Sequence, residues 1–226
     1  ALMRVSLIVL TSLGGTAAAD PGEIVVLGDS ILDWLYDSGA SISERLEDAL
    51  DVPVDHRAIG GAVFHGHSLF DRLMGRDIRG QFPGGTWGAV VLDGGGNDLM
   101  QRCGCMACDA ELDALISEDG QDGSMPDFLR TLRDHTAHVY WLGYYQLPAA
   151  GGPFADCREE LDQLDLRLRD AAASMAWVTY VSGRDVYDPE DASLYDPDLL
   201  HPSAKGAARL ADHLADAIRQ DIRAAR

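Results

Sequence analysis

From residue 20 onward, short apolar runs alternate with longer stretches in which apolar positions recur every three or four residues. The short runs are Glu23 to Leu27, Val52 to Ile59, Ala89 to Leu92, His138 to Leu142 and Trp177 to Val181. They read as strands of a parallel sheet covered on both faces, because such strands need no polar alternation. Between them the helical period predicts helices over Ser41 to Leu50, Ser68 to Arg79, Asp109 to Ile116, Pro126 to Asp134 and Cys157 to Met175. Ser41 and Glu44 have the spacing of a capping box, which sets the start of the first of these. A last helix, about Ser203 to Arg223, gathers Ala207, Leu210, Ala211, Leu214, Ile218 and Ile222 on one face, and its late Arg219 and Arg223 suit the negative end of the helix dipole. Five strands with helices between them predict one doubly wound α/β domain. No repeat or linker divides it, although 120–123 and 148–152 look like flexible loops.

The first 19 residues differ. Arg4 is their only charge, Val5 to Leu13 is mostly apolar, and Ala17-Ala18-Ala19 precedes Asp20. This pattern predicts a secretory signal peptide over 1–19. An apolar run of nine residues falls short of the about 20 needed to span a bilayer, so a stable membrane span is the weaker reading, and a buried first element is the other alternative. The expected location is therefore secreted or periplasmic, and the domain is expected to run from 20 to 226. Over the whole chain 37 acidic residues face 18 basic ones, a formal charge of −19. Lys205 is the only lysine and the arginines are scattered, so no basic patch for nucleic acid or anionic lipid can be assembled. Export also suits the four cysteines, Cys103, Cys105, Cys108 and Cys157, since an even count in an oxidising compartment favours disulfides.

In an open parallel sheet, ligands bind beyond the carboxyl ends of the strands, which is where chemistry is to be sought. Gly28-Asp29-Ser30 follows the first strand, Gly60-Gly61 the second, and Gly94-Gly95-Gly96-Asn97-Asp98 the third. Asp198-Leu199-Leu200-His201-Pro202 follows the fifth and precedes the last helix. A serine hydroxyl at a crevice, backbone and carboxamide donors, and a carboxylate three residues before a histidine are the parts of nucleophilic acyl transfer. Each piece alone is also an ordinary turn or helix cap.

Taken in this order and at these strand ends, the four pieces resemble the SGNH hydrolases, the GDSL esterase/lipase family, over about Glu23 to Ala217. The resemblance implies a three-layer α/β/α sandwich on a five-stranded, mostly parallel sheet of flavodoxin-like type. It implies Ser30 as nucleophile, His201 as base and Asp198 as its orienter. The backbone N–H of Ser30, Gly61 and Asn97 would form the oxyanion hole, with no cofactor and no metal. Gly61 is preferred to Gly60 on the family's spacing alone. Leu147-Pro148 resembles the Leu-Pro loop of the family's periplasmic thioesterase and lysophospholipase branch. The first block departs from the family at Trp34, where a Gly is usual.

The implied activity is cleavage of carboxylic esters through an acyl-enzyme on Ser30, with esterase, lysophospholipase or thioesterase substrates as candidates and sugar O-deacetylation as the alternative. A non-catalytic binding or metal-holding module is the reading from another class. Trp34, Phe64, Tyr144 and Tyr145 lie beside the motifs or at a strand end, as candidate substrate-lining residues or ordinary core aromatics. Cys103, Cys105 and Cys108 are expected in an insertion at about 101–123 by the mouth of the site, paired in disulfides with Cys157. A zinc or iron site is the alternative, and four cysteines permit three connectivities. His65 and His67 are read as loop or substrate-lining residues before metal ligands. The expected partner is a small-molecule, lipid or carbohydrate ester; the oligomeric state is left open.

Overall fold

The computed structural model describes residues 22–66, 71 and 73–224. The expected signal peptide and His67 lie outside them, as does part of the helix expected over Ser68 to Arg79; within that stretch a short 3₁₀ turn covers Ile78–Gln81. Among the described residues the strands are β1 (Ile24–Leu27), β2 (Val54–His56), β3 (Ala89–Leu92), β4 (Val139–Gly143) and β5 (Val178–Ser182). They form one wholly parallel sheet in the order β2-β1-β3-β4-β5. The helices are α1 (Ser30–Asp33), α2 (Ile42–Leu50), α3 (Gly96–Cys103), α4 (Asp109–Leu115), α5 (Ser124–Leu132), α6 (Arg158–Ser174) and α7 (Ala204–Ala224).

Strand alternation divides the core into two layers. Ile24, Val26, Val91, Leu142 and Val181 pack with Leu46 of α2 and with Leu210, Leu214 and Ile218 of α7. Val25, Leu27, Val90, Leu92 and Trp141 face the other way, against Leu99 of α3, Leu115 of α4, Leu129 of α5 and Leu164 of α6. The result is a three-layer α/β/α sandwich. Ser41 caps α2 with the full capping box to Glu44. From β1 the chain crosses to β2 on one side, and β3 to β5 extend the sheet on the other, so the strand order reverses between β1 and β3. Their carboxyl ends therefore flank the crevice of a topological switch point.

The cysteines are paired Cys103–Cys108 and Cys105–Cys157, with Cα atoms 5.3 and 4.8 Å apart. The segment expected as an insertion, about 101–123, holds the end of α3 and all of α4. Cys105 and Cys108 are buried with Cys157 in the core layer under α3 and α6, inside the protein rather than on a rim. All four sulfurs are consumed, which leaves no thiolate for a metal.

Candidate active site

Gly28 follows β1 where Asp93 follows β3, because Leu27 and Leu92 pair in register. A Cβ on Gly28 would overlap the Asp93 carboxylate, so the close approach of the two strand ends requires glycine there. Gln81 clamps Gly28 from both sides, accepting from its N–H at 2.7 Å and donating to its carbonyl at 2.9 Å. Asp29 then caps α1, its Oδ1 accepting from Ile31 N–H at 3.0 Å. Ser30 opens the helix, where its N–H has no partner one turn back, and it lines a narrow crevice. Ile31, Tyr144, Tyr145, Leu147, Phe154, Leu161 and Leu200 give that crevice a largely apolar wall, and Asn97 stands at its edge.

Asp198 accepts from the backbone N–H of both Leu200 and His201 at 2.9 Å, and its Oδ2 meets His201 Nδ1 at 2.5 Å. Burial pushes the Asp198 carboxyl up, but the hydrogen bonds and charge of His201 outweigh it and hold the group below its ordinary value. The imidazole is thus oriented through Nδ1. Its Nε2 is buried and has no hydrogen-bond partner among the described residues. Tyr145 fixes this turn from the sheet, donating its hydroxyl to the Leu200 carbonyl at 2.6 Å.

The two glycines after β2 are physically distinct. Gly60 N–H donates to Asp33 at 2.8 Å, and Asp33 is held below its ordinary value because bonding to His56 and Gly60 outweighs burial. Gly61 adopts φ +76° with open space where a Cβ would stand. Its N–H makes no hydrogen bond among the described residues. The two N–H groups thus differ in that one is already engaged and the other is not. Asn97 gives one N–H of its carboxamide to Ala62 O at 3.1 Å, and a carboxamide nitrogen carries a second.

Tyr144 ties the Asp29–Ser30 turn to the Asn97 helix. Its hydroxyl donates to Asp29 Oδ2 at 2.6 Å and accepts from Gly96 N–H at 2.9 Å. Asp93, 1% exposed, accepts from Asp29 N–H at 2.7 Å, while its other oxygen is buried with no hydrogen-bond partner among the described residues. Burial and the neighbouring Asp29 charge push the Asp93 carboxyl well above its ordinary value, so it keeps its proton to higher pH than a surface carboxyl does. Asp29 is raised as well, chiefly by burial. Sequence reasoning passed over Asp29, Asp33 and Asp93; a carboxylate directly after an apolar strand, as in Leu92-Asp93, was the available signal for the last.

Two of the four candidate lining aromatics do line the crevice, Tyr144 and Tyr145. Phe64 is completely buried against Phe128 and Trp141 and belongs to the core. Trp34 stacks on His201, with ring centroids 3.9 Å apart and planes within 7°. His65, Asp98 and Glu111 bring potential metal-ligand atoms within 4.8 Å of one another. Those lone pairs already serve the loop. The Asp98 oxygens accept from Phe64 and His65 N–H at 3.0 and 2.8 Å, and His65 Nδ1 meets Glu111 at 2.6 Å.

The model of the GDSL-like lipase/acylhydrolase family matches residues 26–209. No curated protein matches the chain. Among solved structures, a member of the lipolytic protein G-D-S-L family from Veillonella parvula shares 14% identity over 88% of this chain and 98% of its own, with a TM-score of 0.62. An acetylxylan esterase from Geobacillus stearothermophilus, solved as a catalytic mutant, shares 16% over 89% and 94%, with a TM-score of 0.60. A carbohydrate esterase family 2 enzyme with a carbohydrate-binding domain from Corynascus thermopiles shares 20% over 93% and 68%, with a TM-score of 0.61. At these identities the likeness is one of fold.

Proposed function

The chain belongs to the GDSL-like lipase/acylhydrolase family and is a serine ester hydrolase, and from that premise we propose that it cleaves carboxylic esters through an acyl-enzyme on Ser30. In this reading His201 Nε2 takes the Ser30 Oγ proton as Oγ bonds to the ester carbonyl carbon. The N–H groups of Ser30 and Gly61 and the Asn97 carboxamide stabilise the oxyanion, and Asp198 holds the imidazole and balances its charge. The carbonyl re-forms as the alcohol leaves with the proton from His201, and water repeats the sequence to release the acid and free Ser30.

The observation that carries the reading is that Ser30 and Asn97 line one largely apolar crevice; in the loop after β2, Gly60 N–H is engaged by Asp33 whereas Gly61 N–H makes no hydrogen bond among the described residues, which supports Gly61 as the second backbone donor. The largely apolar wall favours an acyl chain over a sugar ring as the crevice's occupant. Short to medium acyl esters, including lipid or thioester substrates, are accordingly the first choice. Sugar O-deacetylation is the second, favoured by the acetylxylan esterase among the structural relatives. Export is part of the proposal, supported by two disulfides in a chain of this size.

The test is hydrolysis of a chain-length series of chromogenic acyl esters by wild type and by Ser30→Ala, with fluorophosphonate labelling to locate the nucleophile. The expected result is labelling at Ser30 and loss of turnover in a variant whose circular dichroism is unchanged. A folded Ser30→Ala protein with wild-type turnover would overturn it.

A further inference from the structure

Trp34 follows α1 directly, and its backbone N–H donates to the carbonyl of Ser30 at 2.9 Å. Its indole lies flat on the His201 ring. The indole N–H is buried with no partner among the described residues, so packing and the stack set the ring's position there. One face of the imidazole is thereby fixed relative to the residue it would deprotonate, while Asp198 holds its Nδ1 edge.

We propose that Trp34 is a positioning residue of the reaction, a π-face that holds His201 in plane and stabilises its imidazolium as the charge develops. The inference rests on the reading of His201 as general base. A neutral imidazole on an indole gains dispersion and apolar contact; an imidazolium gains in addition the attraction of a cation for the ring quadrupole. Because His201 passes from neutral to charged on the way to the tetrahedral intermediate, that added attraction acts on the transition state more than on the ground state and raises turnover. Asp198 from its own turn, and Asp29 and Asp33 from the α1 region, are the charged groups that face His201. All three remain when Trp34 is replaced, so a difference between variants reports on the ring.

The experiment compares wild type, Trp34→Phe and Trp34→Leu on a small acetate ester across about pH 5 to 9, with kcat expressed per fluorophosphonate-labelled site. Leucine keeps an apolar cover over the imidazole and removes the π-face; phenylalanine keeps a weaker one. For Trp34→Leu the plateau kcat is expected to fall about five- to twentyfold, within the range of a desolvated cation–π contact. The midpoint of the acid limb is expected to move down by about half to one pH unit, since a base whose cationic form is less favoured stays neutral to lower pH. Trp34→Phe should lie between. A merely structural role would lower the number of labelled sites and leave the limb in place. An unmoved limb with unchanged kcat per site, or a limb that moves upward, overturns the proposal. Should the leucine variant not fold, the direction of the Trp34→Phe shift decides. His201→Ala is run alongside: activity surviving there defeats the base assignment, whereas its loss with wild-type behaviour of Trp34→Leu defeats only the role of Trp34.

Discussion

At the scale of single residues, the hydroxyl of Tyr144 does two things that its ring cannot. It gives Asp29 a donor inside the protein, and it gives the Gly96 N–H an acceptor at a helix start where no intrahelical one exists. Asp29 precedes Ser30 and Gly96 precedes Asn97, so one oxygen atom spans from the turn of the proposed nucleophile to the helix of the proposed oxyanion carboxamide. Tyr144→Phe would keep the crevice wall and strip both bonds, leaving a buried carboxylate and a buried N–H short of partners, at a cost of about 1 to 3 kcal/mol each. We therefore expect a lowered melting temperature and, per folded molecule, a kcat reduced by roughly tenfold or more with KM little altered, because the loss falls on alignment and not on the apolar wall. Steady-state kinetics on a short ester check this, and an unchanged kcat in the folded variant would show that the bridge serves stability alone. Asp93 belongs to the same network from the opposite side. Its acceptor oxygen orders the Asp29 N–H, and burial beside Asp29 favours its protonated form.

At the scale of elements, the Cys105–Cys157 bridge joins the loop after α3 to the residue just before α6. Phe154 and Leu161, on either side of Cys157, are crevice wall. Arg158 draws the same segment toward the loop after β4, donating to the carbonyls of Leu147 and Pro148 at 2.9 and 2.6 Å. The bridge closes a span of 52 residues against 5 for Cys103–Cys108, and in the chain-entropy model that is worth about 4 versus 2 kcal/mol. Replacing Cys105 and Cys157 by Ser should then lower the melting temperature more than replacing Cys103 and Cys108, and should change the ratio of activities on long and short esters by loosening one wall. Activity lost in equal proportion on every ester, in step with folded protein by circular dichroism, would mean the bridge has no part in selection. The elements themselves were legible to different degrees. Ala89–Leu92 is observed with the bounds read from its apolar run, and α2 begins where its capping box says. Helix α3 was missed because Gly96-Asn97-Asp98 opens it with poor helix formers and Leu99 is its one deeply buried apolar side chain. Helix α1 is four residues long, too short for any periodicity to show. Trp34 was legible as a departure from the family pattern but not as a stack, since a ring-to-ring contact across 167 positions of chain has no local signature. The same holds for the disulfide connectivity.

At the scale of the whole molecule, the acid excess works on two depths at once. With 37 acidic and 18 basic residues, the surface repels itself near neutral pH, and salt screens that repulsion, with a Debye length of about 10 Å at 0.1 M and 3 Å at 1 M. Asp29, Asp93 and Asp98 are buried, and burial raises all three, Asp98 to about 6. A carboxyl raised in the folded state binds a proton there that the unfolded chain has already lost, so the unfolded state holds fewer protons and stability falls as pH climbs through the folded value. For Asp98 that window runs from about 4 to about 6; for Asp93 it reaches well above the ordinary carboxyl value. His138 opposes them. Its value is lowered mainly by burial, so the unfolded chain takes up a proton first on acidification and some stability is lost below neutrality. The Asp98 window closes near pH 6, so between pH 6 and 8 it is Asp93, together with the surface repulsion, that opposes His138, and the melting temperature is expected to rise from pH 8 to pH 6. Raising salt at pH 8 should recover only the part owed to the surface, because ions do not reach Asp93 at 1% exposure. Differential scanning calorimetry at pH 6 and 8, each at low and high salt, separates the two. A midpoint that rises from pH 6 to pH 8 at both salt levels would mean that the buried acids are not held neutral, and the Asp29–Asp93 floor beneath Ser30 would then need a counter-cation.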